Sequence, residues 1–155
     1  MVALAGNTSI GHVVDCLIDK GGTVLYGRIE GIVGSESVLA QRAVCPEVGQ
    51  SIIDMVARLR EDFYRENGQY IEDINPTPGN KAGGITTLLE KSVGNIKKSG
   101  TCPISGIIKF GDQIPGSGMW FLDAKILGPD IYGLSTYAVH GCHLTIFSTG
   151  LGNPI

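Results

Sequence analysis

The chain contains no basic block and no stretch where basic and aromatic residues interleave, and its net charge is -3. A nucleic-acid backbone attracts proteins through clustered lysine and arginine, so nucleic acid is not an expected partner. No apolar run approaches the ~20 residues of a membrane span. The N-terminus lacks the basic segment and cleavage site of a signal peptide, which leaves the cytoplasm as the expected compartment and no membrane partner. Cysteine is sparse: Cys16, Cys45, Cys102 and Cys142 are scattered and never form Cys-x-x-Cys. That spacing reads as reduced, mostly buried thiols and not as a zinc site or a disulfide framework. Neither phosphate-binding fingerprint is present. There is no Gly-x4-Gly-Lys-[Ser/Thr], and no Gly-x-Gly-x-x-Gly follows the first expected strand, which argues against a nucleotide-binding module. No long internal repeat and no low-complexity tract occurs.

What is abundant is glycine, 23 residues of 155, gathered at the ends of hydrophobic segments. With 43% hydrophobic and 17% charged residues, the chain can form one globular domain with a real core. Ile10, Val13, Val14, Leu17 and Ile18 carry the amphipathic helical pattern, with Thr8 or Ser9 as cap and Gly21-Gly22 as stop. Thr23 to Gly27 then reads as a buried strand. Ser35 or Ser37 opens a short helix. A longer one starts at Pro46, shows the stripe Ile52, Met55, Val56, Leu59 and Phe63, and ends at Gly68. Residues 69–78 read as a loop. Further strands are expected at Ile104 to Phe110, Met119 to Asp123 and His143 to Ser148, with a helix led by Pro129-Asp130 before the last. Helix, glycine turn and strand in succession predict an α/β fold: a single domain over 1–155, a mostly parallel sheet with helices on both faces, Rossmann-like and three-layered.

The stretch Pro78-Gly79-Asn80-Lys81-Ala82-Gly83-Gly84-Ile85-Thr86-Thr87 runs into a helix expected to bury Leu88, Leu89, Val93 and Ile96. Gly83 and Gly84 let a backbone approach a ligand closely. Thr86 or Thr87 can cap the helix, and from Thr87 the capping-box position falls on Glu90. Free N–H groups and the dipole at such a start suit a carboxylate or phosphate, with Lys81 and Lys91 adding charge. Asn80 and the threonine hydroxyls can orient a polyhydroxylated ligand. The alternative is an ordinary capped helix after a flexible loop. A second glycine-rich stretch, Ser148-Thr149-Gly150, follows the last expected strand, where parallel sheets bind ligands. Glu30 and Asp123 lie in the same kind of place; a solvated loop glutamate and a turn-forming aspartate are the structural alternatives. His140, Cys142 and His143 lack metal-ligand spacing.

The words Asn75-Pro76-Thr77-Pro78-Gly79-Asn80-Lys81-Ala82-Gly83-Gly84-Ile85-Thr86-Thr87, Glu90-Lys91-Ser92-Val93-Gly94-Asn95-Ile96 and Lys98-Ser99-Gly100 resemble the altronate/galactarate dehydratase family of sugar-acid lyases, which includes sulfolactate sulfo-lyases. Gly6-Asn7 to Gly11, Arg42-Ala43-Val44, Pro46-Glu47-Val48-Gly49 and Phe147 to Pro154 extend the likeness in the same order. Leu89 departs from it, since Glu-Glu is usual before the lysine. The family's enzymes are much longer, so the resemblance implies a central fragment of such an enzyme. It implies dehydration of a sugar acid such as galactarate or altronate to a 2-keto-3-deoxy acid, with a divalent metal, Fe2+ or Mn2+. Lys91 and Glu90 become catalytic candidates, Lys91 as base. Asn80, Lys81, Gly83, Gly84, Thr86, Thr87, Thr149 and Gly150 become substrate-binding candidates, and Glu30 a metal-ligand candidate. The partner is then a small sugar acid, and a homo-oligomer is compatible with it. The other reading is a non-catalytic fragment, an anion-binding scaffold without a complete active site.

Overall fold

The computed structural model describes residues 2–124 and 130–150. Three parallel strands, β1 (Thr23–Tyr26), β2 (Ile104–Lys109) and β3 (Gly118–Asp123), form a sheet in the order β1-β3-β2. β3 is central and the most apolar, with Met119, Phe121 and Leu122 fully buried. A register shift between Ile104 and Gly106 inserts one residue into β2, so Ile104 and Ile107 face the same side. Ile108 is thereby turned to the other side, as a bulge requires under period-two alternation.

The helices are α1 (Asn7–Asp19), α2 (Glu36–Ala40), α3 (Pro46–Asn67), α4 (Ile71–Ile74), α5 (Pro78–Ala82), α6 (Leu88–Ile96) and α7 (Asp130–Val139). The expected α3 stripe of Ile52, Met55, Val56, Leu59 and Phe63 is buried against Ile104, Met119 and Phe121, and forms the main core. The second face is smaller: Ile108, Leu122 and Ala124 pack with Leu25, Ile114, Trp120 and Tyr137, the last from α7. The link between β2 and β3 is shorter than the dozen or more residues usual between parallel neighbours, and it contains no helix. Ile114 of this link packs on the second face instead.

The α/β fold with a parallel sheet and helices around it is as expected from sequence, with several local corrections. Val2–Gly6 forms a π-helical turn, not the end of a strand. It leads directly into α1, so Thr8 and Ser9 do not cap: each donates a hydrogen bond to the carbonyl four residues back, Leu4 and Ala5. Val14 with Ile10 and Ile18 faces the core, while Val13 and Leu17 are exposed. Residues 69–78 contain the helical turn α4, and α5 occupies much of the expected glycine-rich loop. His143 to Ser148 forms no strand. Leu144 is 79% exposed, and the segment joins neither edge of the three-stranded sheet. Pro129 and residues 151–155 lie outside the described residues. Among the described residues, no helix is long and apolar enough to cross a membrane.

Candidate functional site

The chain leaves β1 through Gly27 into Arg28, whose φ of 71° is left-handed, and then into the tight turn Ile29–Gly31. A left-handed arginine is costly for an L side chain and persists only where its surroundings hold it. Here two carboxylates do so. Arg28 Nε lies 2.5 Å from Glu30 Oε1, and Arg28 Nη1 pairs with Asp130 at the start of α7. Glu30 is only 14% exposed, so it is not a solvated loop residue.

Facing this turn is one stripe of α6 and of the 3₁₀ turn Lys97–Ser99 that continues it. Lys91, Asn95 and Lys98 stand at i, i+4 and i+7, one above another on a helical surface. Asn95 pins the stripe in place: its Nδ2 donates to Gly31 O at 3.2 Å, and its carbonyl accepts from Tyr26 Oη at 3.3 Å. Lys91 Nζ donates to Asn75 Oδ1 at 2.8 Å and to Asn80 Oδ1 at 2.9 Å, tying α4 and α5 to α6. The result is a half-buried group of three cations and two carboxylates just beyond the carboxyl end of β1, where parallel sheets bind their ligands. Burial lowers the Lys91 pKa; Glu30 opposes that shift and Arg28 reinforces it. Burial also lowers the Lys98 pKa, helped by Arg28 and Lys91 and opposed by Glu30. Burial pushes the Tyr26 phenol well above its ordinary value, with the charges of Tyr137 and Glu30 adding to it. Tyr137 is pushed up to about 12, again mainly by burial. Both phenols stay protonated hydrogen-bond donors.

Of the residues singled out from sequence, Lys91, Asn80 and Glu30 belong to this group. Glu90 faces outward at the helix start. Its carboxylate accepts from the Thr86 N–H at 2.9 Å and the Thr86 hydroxyl at 3.1 Å. Its own N–H donates to Thr87 Oγ1 at 3.1 Å, so Thr87 is the N-cap. Those hydrogen bonds from Thr86 lower the Glu90 pKa. At this helix start the Glu90 carboxylate thus takes up the N–H before the cap, and Thr87 takes up the N–H of Glu90. Lys81 is exposed, and Gly83 and Gly84 make the turn between α5 and the cap, Gly84 at φ 94°. Ser148, beside Thr149 and Gly150, donates to Asn7 Oδ1 at 3.0 Å. Asn7 Nδ2 in turn donates to Gly94 O at 2.9 Å, which brings this stretch to α6 through Asn7. Asp123 is paired with Arg58 at 2.7 Å. The ring of His140 is bonded to backbone atoms of Thr136, Lys109 and Gly111.

Sequence reasoning passed over Arg28, Asn75, Asn95, Lys98 and Asp130. The signals for Lys98 were its place in the word Lys98-Ser99-Gly100 and its spacing of seven from Lys91, and the lysine reads equally well as a helix-end charge. Among the described residues, no three His, Cys, Asp or Glu side chains come close enough together to hold a metal ion. Glu30, the carboxylate proposed for that role, is committed to Arg28.

Half-buried cations and carboxylates are thus grouped beyond the carboxyl end of one strand of a parallel α/β sheet. The comparisons give the family. The family described as D-galactarate/Altronate dehydratase, C-terminal, matches residues 1–155, and the chain belongs to it. The chain is similar to altronate dehydratase of Bacillus subtilis (strain 168), 35% identical over 151 residues, which covers 97% of this chain and 30% of the relative. It is similar to the (2R)-sulfolactate sulfo-lyase subunit beta of Chromohalobacter salexigens, 30% identical over 150 residues, 96% of this chain and 38% of that subunit. It is also similar to galactarate dehydratase (L-threo-forming) of Escherichia coli (strain K12), 28% identical over 151 residues, 97% of this chain and 28% of the relative. The chain thus spans about a third of the length of the curated relatives it matches.

Proposed function

We propose that this chain is the part of a sugar-acid hydro-lyase that positions the substrate and moves its proton, acting on an acid of the galactarate or altronate type. The observation that carries the reading is the meeting of Lys91, Arg28, Glu30 and Asn80 beyond the carboxyl end of β1. Lys91 is the base. A half-buried lysine flanked by a guanidinium holds its proton less firmly than one in water, which favours its working as a base. Asn75 and Asn80 fix the direction of the amine. The amine takes the proton from the carbon next to the substrate carboxylate, and negative charge spreads onto the carboxylate oxygens. The positive side of the cluster lowers the cost of that charge. The hydroxyl on the next carbon leaves with the proton that Lys91 now carries, as water, and the resulting enol becomes the 2-keto-3-deoxy acid. Glu90 takes no part, being occupied at the helix cap.

The resemblance also implies Fe2+ or Mn2+ as electrophile. The described residues offer the Arg28-bound Glu30 and no set of three ligands, so they do not fit a metal cage by themselves, and no step above is routed through one. That same observation favours a second reading, an anion-binding scaffold that does not turn substrate over.

Incubation of the chain with galactarate or altronate in D2O separates the two readings. Proton abstraction exchanges the hydrogen beside the carboxylate for deuterium, which NMR follows even when no water is lost. The expected result is exchange by the wild type and its loss in Lys91→Met, with binding retained in calorimetry. Binding without exchange in the wild type would establish the scaffold instead.

A further inference from the structure

Among the described residues, Arg28 is the one non-glycine with a positive φ, 71°. Glycine takes such a turn freely, and the nearby turn at Gly34, φ 94°, is made that way. An arginine in this conformation must be held by its surroundings. One carboxylate would balance the guanidinium, yet two engage it from different elements: Glu30 from its own turn and Asp130 from the first position of α7. The rest of α7 meets the same stretch of chain. A Cβ built on Gly133 would stand 4.0 Å from Cγ and Cδ of Arg28, and one built on Gly27 would stand 2.5 Å from Tyr137 Oη. Asp130, Gly133 and Tyr137, at i, i+3 and i+7, thus form the face of α7 that lies on Gly27 and Arg28. Ile131 and Tyr132 remain exposed, so the ion pair, and not apolar burial, holds the first turn of α7 in place.

The same turn also meets α6. Asn95 Nδ2 donates to Gly31 O at 3.2 Å, and Lys91 stands one helical turn before Asn95 on that face. We propose that Asp130 is a positioning residue of the candidate site: its carboxylate holds Arg28 in the left-handed turn with the guanidinium locked on Glu30, so that the turn after β1 keeps its place on the face of α6 that carries Asn95 and Lys91. Without Asp130, the left-handed arginine has only Glu30, two residues away on the same turn, to hold it. Relaxation of Arg28 to an ordinary φ would then carry Glu30 and Gly31 with it. The proposal rests on the reading of Lys91 as the base, because only at a reacting site does the placement of this turn matter beyond stability.

The test uses the full chain, isotope-labelled for NMR, as wild type, Asp130→Asn and Asp130→Glu. Asp130 is 20% exposed at the start of α7, so both replacements have room, and thermal melting confirms that each variant is folded. The first readout needs no substrate: exchange with water of the Arg28 Nε–H, assigned by its loss in Arg28→Lys. It should quicken about tenfold or more in Asp130→Asn, where a charged hydrogen bond is lost, and stay within about threefold of wild type in Asp130→Glu. The second readout is deuteration of galactarate or altronate in D2O. A positioning residue acts on the rate, so the saturated rate should fall about tenfold in Asp130→Asn with the half-saturating concentration within about threefold, and Asp130→Glu should restore it. Unchanged Nε–H exchange in a folded Asp130→Asn overturns the proposal. Faster exchange with unchanged deuteration overturns it too, and leaves Asp130 a residue that only docks α7. A wild type that deuterates neither acid overturns the hydro-lyase reading and the positioning role with it, and the Nε–H exchange then shows whether Asp130 still holds Arg28.

Discussion

Gly11 is expected to be the least replaceable glycine of the α1 interface. In the middle of α1 it faces the 3₁₀ turn Lys97–Ser99 and Gly100, and a Cβ built on it would lie 2.2 Å from Lys97 O and 3.2 Å from the Cα of Gly100. Both are backbone atoms, so no side chain can swing aside. Relief requires α1 and the turn to separate by about 1 Å, since uncrowded carbon–oxygen contacts lie a little beyond 3 Å. Overpacking of this kind costs about 1–3 kcal/mol, and at a backbone contact the upper part of that range applies. Alanine returns about 1 kcal/mol through its better helix propensity. Gly11→Ala should therefore lose about 1–2 kcal/mol, a drop of roughly 2–8 °C in Tm for a chain of this size. Urea unfolding measures the effect. Gly116→Ala is the control: it has a normal φ and no heavy atom within 4 Å of the built Cβ, so it should be neutral to about 0.5 kcal/mol. A Gly11→Ala variant as stable as Gly116→Ala would refute the close approach.

Three further outcomes are expected. Asp15→Asn should cost about 1–2 kcal/mol near neutrality, because the carboxylate accepts the Thr101 and Cys102 N–H groups and the Thr101 hydroxyl. Burial opposes the charge of Asp15, but these hydrogen bonds outweigh it and lower its pKa. A lowered carboxylate pKa contributes stability above the unfolded value and loses it as pH falls through the folded one, so the gap between mutant and wild type in urea should close in acid. Thr87→Val should remove the α6 cap at about 1 kcal/mol while leaving anion binding intact; a large loss of binding with unchanged melting would return the site to the helix start. Lys98→Met should raise stability near neutrality, by about 1 kcal/mol as charge optimisation commonly does. With the amine pKa lowered on folding, the unfolded chain holds more protons than the folded one between the two values, so the cost is full below that interval and vanishes above it. Melting wild type and mutant on both sides of the interval checks the sign.

What could be read from the sequence depended on whether the local pattern served packing alone. α3 was legible throughout, because Pro46, Gly68 and a five-residue apolar stripe all agree and the helix does nothing except cover the sheet. α6 was legible as a helix but not in its orientation. Leu89 and Val93, expected inside, are 54% and 44% exposed, while Ser92 and Gly94 are buried. Ser92 is satisfied by the hydroxyl of Ser35, and Gly94 O accepts from Asn7. Pattern reading assumes that the apolar face is the inner one, and that assumption fails here because α6 packs through small and polar residues, Ser92 on Ser35 and Gly94 on Asn7. His143 to Ser148 failed for another reason: an apolar pattern describes a strand's faces but does not say whether the segment pairs, and this one joins neither edge of the sheet. The glycine-rich loop was legible as the approach to α6, but the hydrogen bonds that tie Asn80 to Lys91 and Glu90 to Thr86 depend on the fold of α5, which the sequence pattern did not show.

The two ends of α6 show different treatments of charge. At its start the Glu90 carboxylate accepts from the Thr86 N–H and hydroxyl, while Thr87 caps the N–H of Glu90. At its far end Lys98 brings a cation to the helix C-terminus, where the dipole contributes about 0.3–1 kcal/mol when exposed. Burial, Arg28 and Lys91 oppose that charge and Glu30 favours it, and the lowered pKa means that the opposing effects win. A rise in stability in Lys98→Met is the sign this balance requires, and a fall would mean that the dipole and Glu30 outweigh the rest.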